Sequence, residues 1–255
     1  MNEVDIHFED QGSGSPALVF LHYFAGSSRS WLHVAGELAK THRCISVDLP
    51  GFGSTPPLSE FSVQVMADAL EGLIRRLKLE HYILIGHSMS GKLAMACATD
   101  GPTELKGLIL VAPSPPSPEP MDEAERSRLL ASHGDRASAE QTLREITRRP
   151  LTAEDKSVCI DDNLRTSSAA WHWWLSSGSR ENIASDVGRI ACPVLVLGGT
   201  LDPVIPPHVI TTQVTSRITA AIYTQINGAG HLLPFEAPLE VSDAIQSFAS
   251  QSITP

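Results

Sequence analysis

The stretch Ile83-Leu84-Ile85-Gly86-His87-Ser88-Met89-Ser90-Gly91-Lys92 decides the fold. Its opening residues are a compact apolar run of the kind that fills a strand covered on both faces, and after Ser88 comes a helical pattern carrying Ala94, Ala96 and Ala98. A strand, a sharp turn and a helix with serine at the apex hold that serine in a strained backbone and lift its hydroxyl above the sheet. Flanking positions must be small, because neighbouring backbone passes close by. The pattern here is Gly-x-Ser-x-Ser: Ser90 stands where a second glycine is usual, with Gly91 directly after it.

Outward from this turn, short apolar runs at 17–21, 44–47, 108–111, 194–197 and 221–226 read as further strands. Helical patterns at 30–39, 63–79, 89–98 and 239–248 lie among them. Strands alternating with helices predict a doubly wound, mostly parallel α/β sheet. Residues 4–9 alternate apolar and charged side chains, and the turn Gln11-Gly12-Ser13-Gly14 then predicts an edge hairpin leading into the strand at 17–21. After Val111 the run Ala112-Pro113-Ser114-Pro115-Pro116-Ser117-Pro118-Glu119-Pro120 can continue neither strand nor helix. It opens an inserted helical cap over 113–189, which leaves 1–112 and 190–255 as the core. Two capping boxes are expected in the insertion, Ser138 with Gln141 and Thr152 with Asp155. Its final helix carries Trp171, Trp173 and Trp174, where Trp171 and Trp174 share a face and Trp173 turns away.

A serine hydroxyl is a weak nucleophile at neutral pH and needs an adjacent base, which in turn needs an acceptor to set its tautomer. Two later segments supply them. The strand at 194–197 ends in Gly198-Gly199-Thr200-Leu201-Asp202, and Asn227-Gly228-Ala229-Gly230-His231 places a histidine on a glycine-rich loop before the last helix. Ser88, Asp202 and His231 therefore occur in the chain order this architecture uses. His22 and His87 are expected to hold loops by hydrogen bonds rather than to carry protons, and His172, on the cap helix, has the same two readings. Asp48 and Asp186 are poorer acids than Asp202, the first because it belongs to an early loop and the second because it precedes its strand.

Together with Val47-Asp48-Leu49-Pro50-Gly51-Phe52-Gly53-Ser54 and Phe235-Glu236-Ala237-Pro238, these motifs resemble the α/β-hydrolase superfamily, near its small esterases, cofactor-free haloperoxidases and carbon–carbon bond hydrolases. The resemblance spans nearly the whole chain and implies an eight-stranded sheet. It also implies oxyanion donors at the backbone N–H of Met89 and, in the loop His22-Tyr23-Phe24-Ala25-Gly26, at that of Phe24. Tyr23 occupies a position where relatives usually have glycine. Its hydroxyl has two readings, a donor to the oxyanion or a group packed beside the site; the second is preferred. Tyr23, Trp171 and Trp174 are the expected substrate contacts. Serine at the apex excludes the haloalkane dehalogenases and epoxide hydrolases of this fold, which use aspartate there.

The expected activity is hydrolysis of a small to medium uncharged carboxylic ester through an acyl-enzyme. Carbon–carbon bond hydrolysis, lactone opening, perhydrolysis and acyl transfer use the same groups, and a ligand-sensing protein with residual hydrolase activity is a reading of another class. No cofactor and no metal is implied. The 255 residues are 42% hydrophobic and 19% charged, an ordinary globular composition. A formal net charge of −10 disfavours nucleic acid and anionic membranes as partners, leaving a small-molecule substrate. The start Met-Asn-Glu-Val-Asp-Ile has no basic region followed by an apolar stretch, so a cytoplasmic location is expected. Cys44, Cys97, Cys159 and Cys192 are far apart and read as free thiols.

Overall fold

Side chains on a strand alternate between faces, which lets one sheet support two cores. In the computed structural model, which describes residues 4–219 and 221–251, Phe20, Ile83, Ile85, Ile109 and Leu197 enter one apolar cluster. Val19, Leu21, Leu84, Leu110 and Val196 enter another. Each such side chain, withdrawn from water, contributes about 1.5–3 kcal/mol. Residues 1–3, which begin the N-terminal stretch Met-Asn-Glu-Val-Asp-Ile, lie outside the described residues.

The strands are β1 (Phe8–Gln11), β2 (Ala17–Leu21), β3 (Cys44–Val47), β4 (Tyr82–His87), β5 (Leu105–Val111), β6 (Val194–Gly199) and β7 (Ala221–Ile226). They lie in the order β1-β3-β2-β4-β5-β6-β7, and every neighbouring pair is parallel except β1 with β3. The helices in chain order are α1 (Leu32–Leu38), α2 (Val63–Leu77), α3 (Met89–Thr99), α4 (Glu123–Ala131), α5 (Arg136–Ile146), α6 (Ala153–Arg165), α7 (Ser168–Ser176), α8 (Pro207–Val209), α9 (Leu233–Glu236) and α10 (Pro238–Gln251). Helices α2 and α3 cover one face of the sheet, and α1 and α10 the other.

Several expectations are corrected. The sheet has seven strands among the described residues rather than eight. No edge hairpin forms: β1 pairs antiparallel with β3, not with β2. The His7 N–H donates to Thr55 Oγ1 at 2.9 Å and the His7 carbonyl accepts from Asp48, so this residue is tied to a loop. Gly12 and Gly14 carry the chain past β3 instead of reversing it. Both have positive φ, and a Cβ on either would come within 2.5 Å of backbone oxygens in 39–42. Helix α2 ends at Leu77 because Lys78 is left-handed, at φ 50°.

Four helices, α4 to α7, are inserted between β5 and β6. Thr152 caps α6, its hydroxyl accepting from the Asp155 N–H at 3.0 Å, but the return bond of a capping box is replaced: the Asp155 carboxylate accepts from that same hydroxyl at 2.7 Å and not from the Thr152 N–H. Ser138 does not cap at all. Asp135 caps α5, accepting from the Ser138 N–H at 3.0 Å, so the helix starts one turn earlier. A carboxylate at that end also complements the helix dipole. Cys44, Cys97 and Cys159 are buried and Cys192 half-buried, all as free thiols. No helix among the described residues is long and apolar enough to cross a membrane.

Candidate active site

The strand order reverses at β2 and β4, which lie side by side with Leu21 opposite Gly86. From β2 the chain moves to one flank and from β4 to the other, so the loops at their carboxyl ends open a crevice. Ser88 comes directly after β4 with φ 54° and ψ −116°, a conformation that costs a residue other than glycine about 1–3 kcal/mol. Three backbone hydrogen bonds of 2.9 Å hold it: Ser88 N–H donates to Val111, and the Ser88 carbonyl accepts from Gly91 and Ser114. Gly86 is required here, since a Cβ would stand 2.5 Å from the Ser90 carbonyl oxygen. Ser90, the departure from the usual glycine, adds a tether. Its hydroxyl accepts from the His87 N–H and donates to the Leu21 carbonyl, both at 2.9 Å, joining the turn to the end of β2.

The loops after β6 and β7 bring Asp202 and His231 to the same edge. His231 Nδ1 donates to Asp202 Oδ2 at 2.8 Å, which leaves Nε2 as the acceptor for the Ser88 hydroxyl, also at 2.8 Å. The other Asp202 oxygen accepts from the N–H groups of Val204 and Ile205 at 2.8 and 3.0 Å. Burial alone would lower the His231 pKa, but the charge and hydrogen bond of Asp202, with smaller contributions from Glu119 and Glu236, leave it above the ordinary imidazole value. The His231 loop is itself held by Glu236 at the end of α9. This carboxylate accepts from the N–H groups on both sides of the histidine, Gly230 at 2.9 Å and Leu232 at 3.0 Å. It also accepts from Arg148 and Arg149 in the insertion at 2.7 and 2.8 Å.

Met89 begins α3, so its N–H belongs to the first turn and lacks an intrahelical acceptor. The N–H of Phe24 likewise has no protein acceptor among the described residues. Tyr23 is tolerated in a glycine position because the left-handed residue of this loop is Ala25, at φ 63°. The Tyr23 ring packs 5.4 Å from that of His87, and its hydroxyl interacts with the Cys159 thiol of α6. Burial raises the pKa of the Tyr23 hydroxyl and holds the Cys159 thiol at about 12, so both stay protonated. Neither the His22 ring nor the His87 ring hydrogen-bonds the Ser88 hydroxyl. His22 donates from Nδ1 to the Tyr23 carbonyl and accepts at Nε2 from Leu49 N–H, while His87 donates from Nε2 to the His231 carbonyl at 2.8 Å. Burial keeps both rings neutral, with pKa values below the ordinary one. His172 is exposed on α7, bonded to the Ser168 carbonyl. Asp48 accepts from the N–H groups of Ser28 and Ser54, away from His231.

Ser88 and His231 lie on a cavity of about 440 Å³ that is lined in large part by residues of the insertion. Trp171 and Trp174 line it and Trp173 does not, as their spacing on one helix predicts. Trp173 instead stacks on Phe61 at 5.4 Å. Trp171 packs against Phe24 at 4.9 Å and donates its Nε1–H to the Leu129 carbonyl at 3.0 Å. No group of three or more His, Cys, Asp or Glu side chains among the described residues is placed to hold a metal ion.

Residues 18–244 match the Alpha/beta hydrolase family. The chain belongs to that family. It is 26% identical to the sn-1-specific diacylglycerol lipase ABHD11 of Mus musculus, over 91% of this chain and 80% of the mouse protein. A thermophilic esterase from Thermogutta terrifontis superposes with a TM-score of 0.80 at 25% identity, over 98% of this chain and 95% of that one. A bromoperoxidase from Bacillus anthracis reaches a TM-score of 0.90 at 20% identity, over 97% and 96% of the two chains, a likeness of fold.

Two residues of this alpha/beta hydrolase escaped sequence reasoning. Glu236 sits in the Phe235-Glu236-Ala237-Pro238 motif, but nothing in its spacing announces four N–H partners. Lys92, fully buried on α3, donates to the carbonyls of Ser117, Ser179 and Glu181 at 3.1, 3.1 and 2.9 Å and so fixes both ends of the insertion. Burial lowers its pKa to about 8 against the opposing charges of Glu119 and Glu181. A lysine in an otherwise apolar helix directly after the turn was the available signal.

Proposed function

We propose that this alpha/beta hydrolase cleaves small to medium carboxylic esters that carry no negative charge, through an acyl-enzyme on Ser88. The observation that carries the reading is the continuous hydrogen-bonded chain from Asp202 through His231 to a left-handed Ser88 at the cavity floor. His231 Nε2 takes the Ser88 proton as Oγ bonds to the ester carbonyl carbon, and the resulting oxyanion is held by the N–H groups of Met89 and Phe24. The imidazolium, stabilised by Asp202, then gives its proton to the departing alkoxide. Water deprotonated by the same His231 attacks the acyl-enzyme, the acid leaves, and Ser88 regains its proton.

In this reading Tyr23, Trp171 and Trp174 contact the substrate and the helical insertion over 113–189 serves as the cap that excludes water. The esterase and lipase among the relatives support the same chemistry. Four free thiols suit a reducing compartment, and we place the enzyme in the cytoplasm. Labelling by a small neutral fluorophosphonate tests the assignment. Wild-type protein should label at Ser88 and Ser88→Ala should not, with its fold retained; labelling that persists on another residue would defeat the reading.

A further inference from the structure

The cavity wall carries Glu119, Asp122, Glu125 and Glu145, and neither Lys nor Arg among the described residues. Three of these carboxylates are engaged. Asp122 caps α4 by accepting from Ala124 and Glu125 N–H groups, Glu125 takes both Nε and an Nη of Arg128, and Glu145 accepts from Gln141 at 2.8 Å. Glu119 differs. It is nine-tenths buried, lines the same cavity as Ser88 and His231, and its carboxylate has no hydrogen bond or ion pair among the described residues.

Glu119 couples by charge to Lys92 and to protonated His231, but His231 gives its ring nitrogens to Asp202 and Ser88, and the three donors of the Lys92 ammonium already serve three backbone carbonyls. Lys92 therefore lends charge without a hydrogen bond. A carboxylate at a cavity wall without protein donors takes them from water in the cavity, and a ligand that displaces that water must supply them instead or leave the group unsatisfied. Arg128 is held by Glu125 and does not line the cavity.

We propose that Glu119 is a specificity-determining residue that accepts a hydrogen bond from a protonated amine on the substrate, so that the preferred esters are cationic. This rests on the proposed ester-hydrolase activity and replaces the sequence expectation of an uncharged substrate. The other wall carboxylates add a negative field that favours the same cation and repels a carboxylate. A neutral ester would desolvate Glu119 without replacing its water, whereas an ammonium N–H restores a charge-assisted bond.

The test uses a matched set of butyrate esters: the 2-(dimethylamino)ethyl ester, the isosteric 3-methylbutyl ester and the 2-carboxyethyl ester, assayed at neutral pH. Wild-type kcat/KM should favour the cationic over the neutral ester by about tenfold to a hundredfold, the value of one hydrogen bond to a charged group. The anionic ester should be the poorest, and Glu119→Gln should collapse the cationic preference. Calorimetric titration with 3-methylbutylammonium against 3-methylbutanoate gives a readout independent of turnover, and it alone decides should the variant not fold. Ester hydrolysis without a cationic preference, or a preference unchanged in Glu119→Gln, would overturn this inference and leave the hydrolase reading standing. Ammonium binding that is lost in Glu119→Gln, in a protein that cleaves none of the esters, would support Glu119 while defeating the hydrolase reading.

Discussion

Replacing Glu236 by glutamine tests how the base is held in place. One carboxylate oxygen accepts from Gly230, Arg148 and Arg149 N–H groups and the other from Leu232. Glutamine keeps one acceptor and turns the other into a donor. With the amide oxygen on the side of the three donors, those bonds become neutral and each weakens by about 1 kcal/mol. The Leu232 N–H then faces another N–H, at about 1–3 kcal/mol for an unsatisfied buried donor. Removing a desolvated charge returns part of this, leaving a net loss of about 3–5 kcal/mol. That is a large share of a typical domain stability of about 5–15 kcal/mol. Urea denaturation followed by circular dichroism measures it. Leu232 loses its anchor and that of Gly230 weakens, so kcat should also fall, by about a hundredfold for a displacement near 1 Å. KM should change far less, because Glu236 does not line the cavity. A stability loss below about 1 kcal/mol with normal kcat would refute the idea that this carboxylate organises the base.

Activity should rise with pH as His231 loses its proton, with a midpoint above the ordinary value of about 6.5 because Asp202 favours the charged ring. Asp202→Asn should move that midpoint down and lower kcat by roughly a thousandfold or more; an unmoved midpoint with near-normal kcat would point to another acid. His22 and His87 are depressed in the folded state, so their neutral forms stabilise the protein above the unfolded value of about 6.5, and that stability is lost as pH falls. Unfolding free energies from urea titrations should fall as the pH is lowered from about 6.5 to 5, by at most about 1.4 kcal/mol per pH unit for each ring, and a flat profile would contradict this. Trp171→Ala should relax discrimination against bulky acyl groups across an ester series, because the ring faces the cavity, and also cost about 3–5 kcal/mol in urea unfolding. Unaltered relative kcat/KM values would make Trp171 a packing residue only.

Much of this molecule is legible in short stretches of sequence, because the physics that places those residues is local. A run such as 83–85, buried on both faces, followed by small residues and a helix, specifies a turn with Ser88 at its apex without reference to anything distant. The glycines before Asp202 and His231 mark loops at strand ends, and parallel strands place all such loops on one edge. The i, i+3 spacing of Trp171 and Trp174 sets a shared helix face, which the cavity wall now occupies. Errors arose where a local pattern had two outcomes: Gln11-Gly12-Ser13-Gly14 suits a hairpin or a crossing over β3, and Ser138 suits a cap or a first turn behind Asp135. Only tertiary pairing chooses between these, since β1 finds its hydrogen-bond partners in β3 rather than in the next strand along the chain. The same holds for the charged groups. Glu236 matters because chain 88 residues away brings N–H groups to it. Glu119 lacks a donor because Lys92 is occupied by carbonyls that lie 25 to 89 residues from it. Which buried charges are satisfied is decided by contacts between distant segments, and no spacing rule along the chain encodes it.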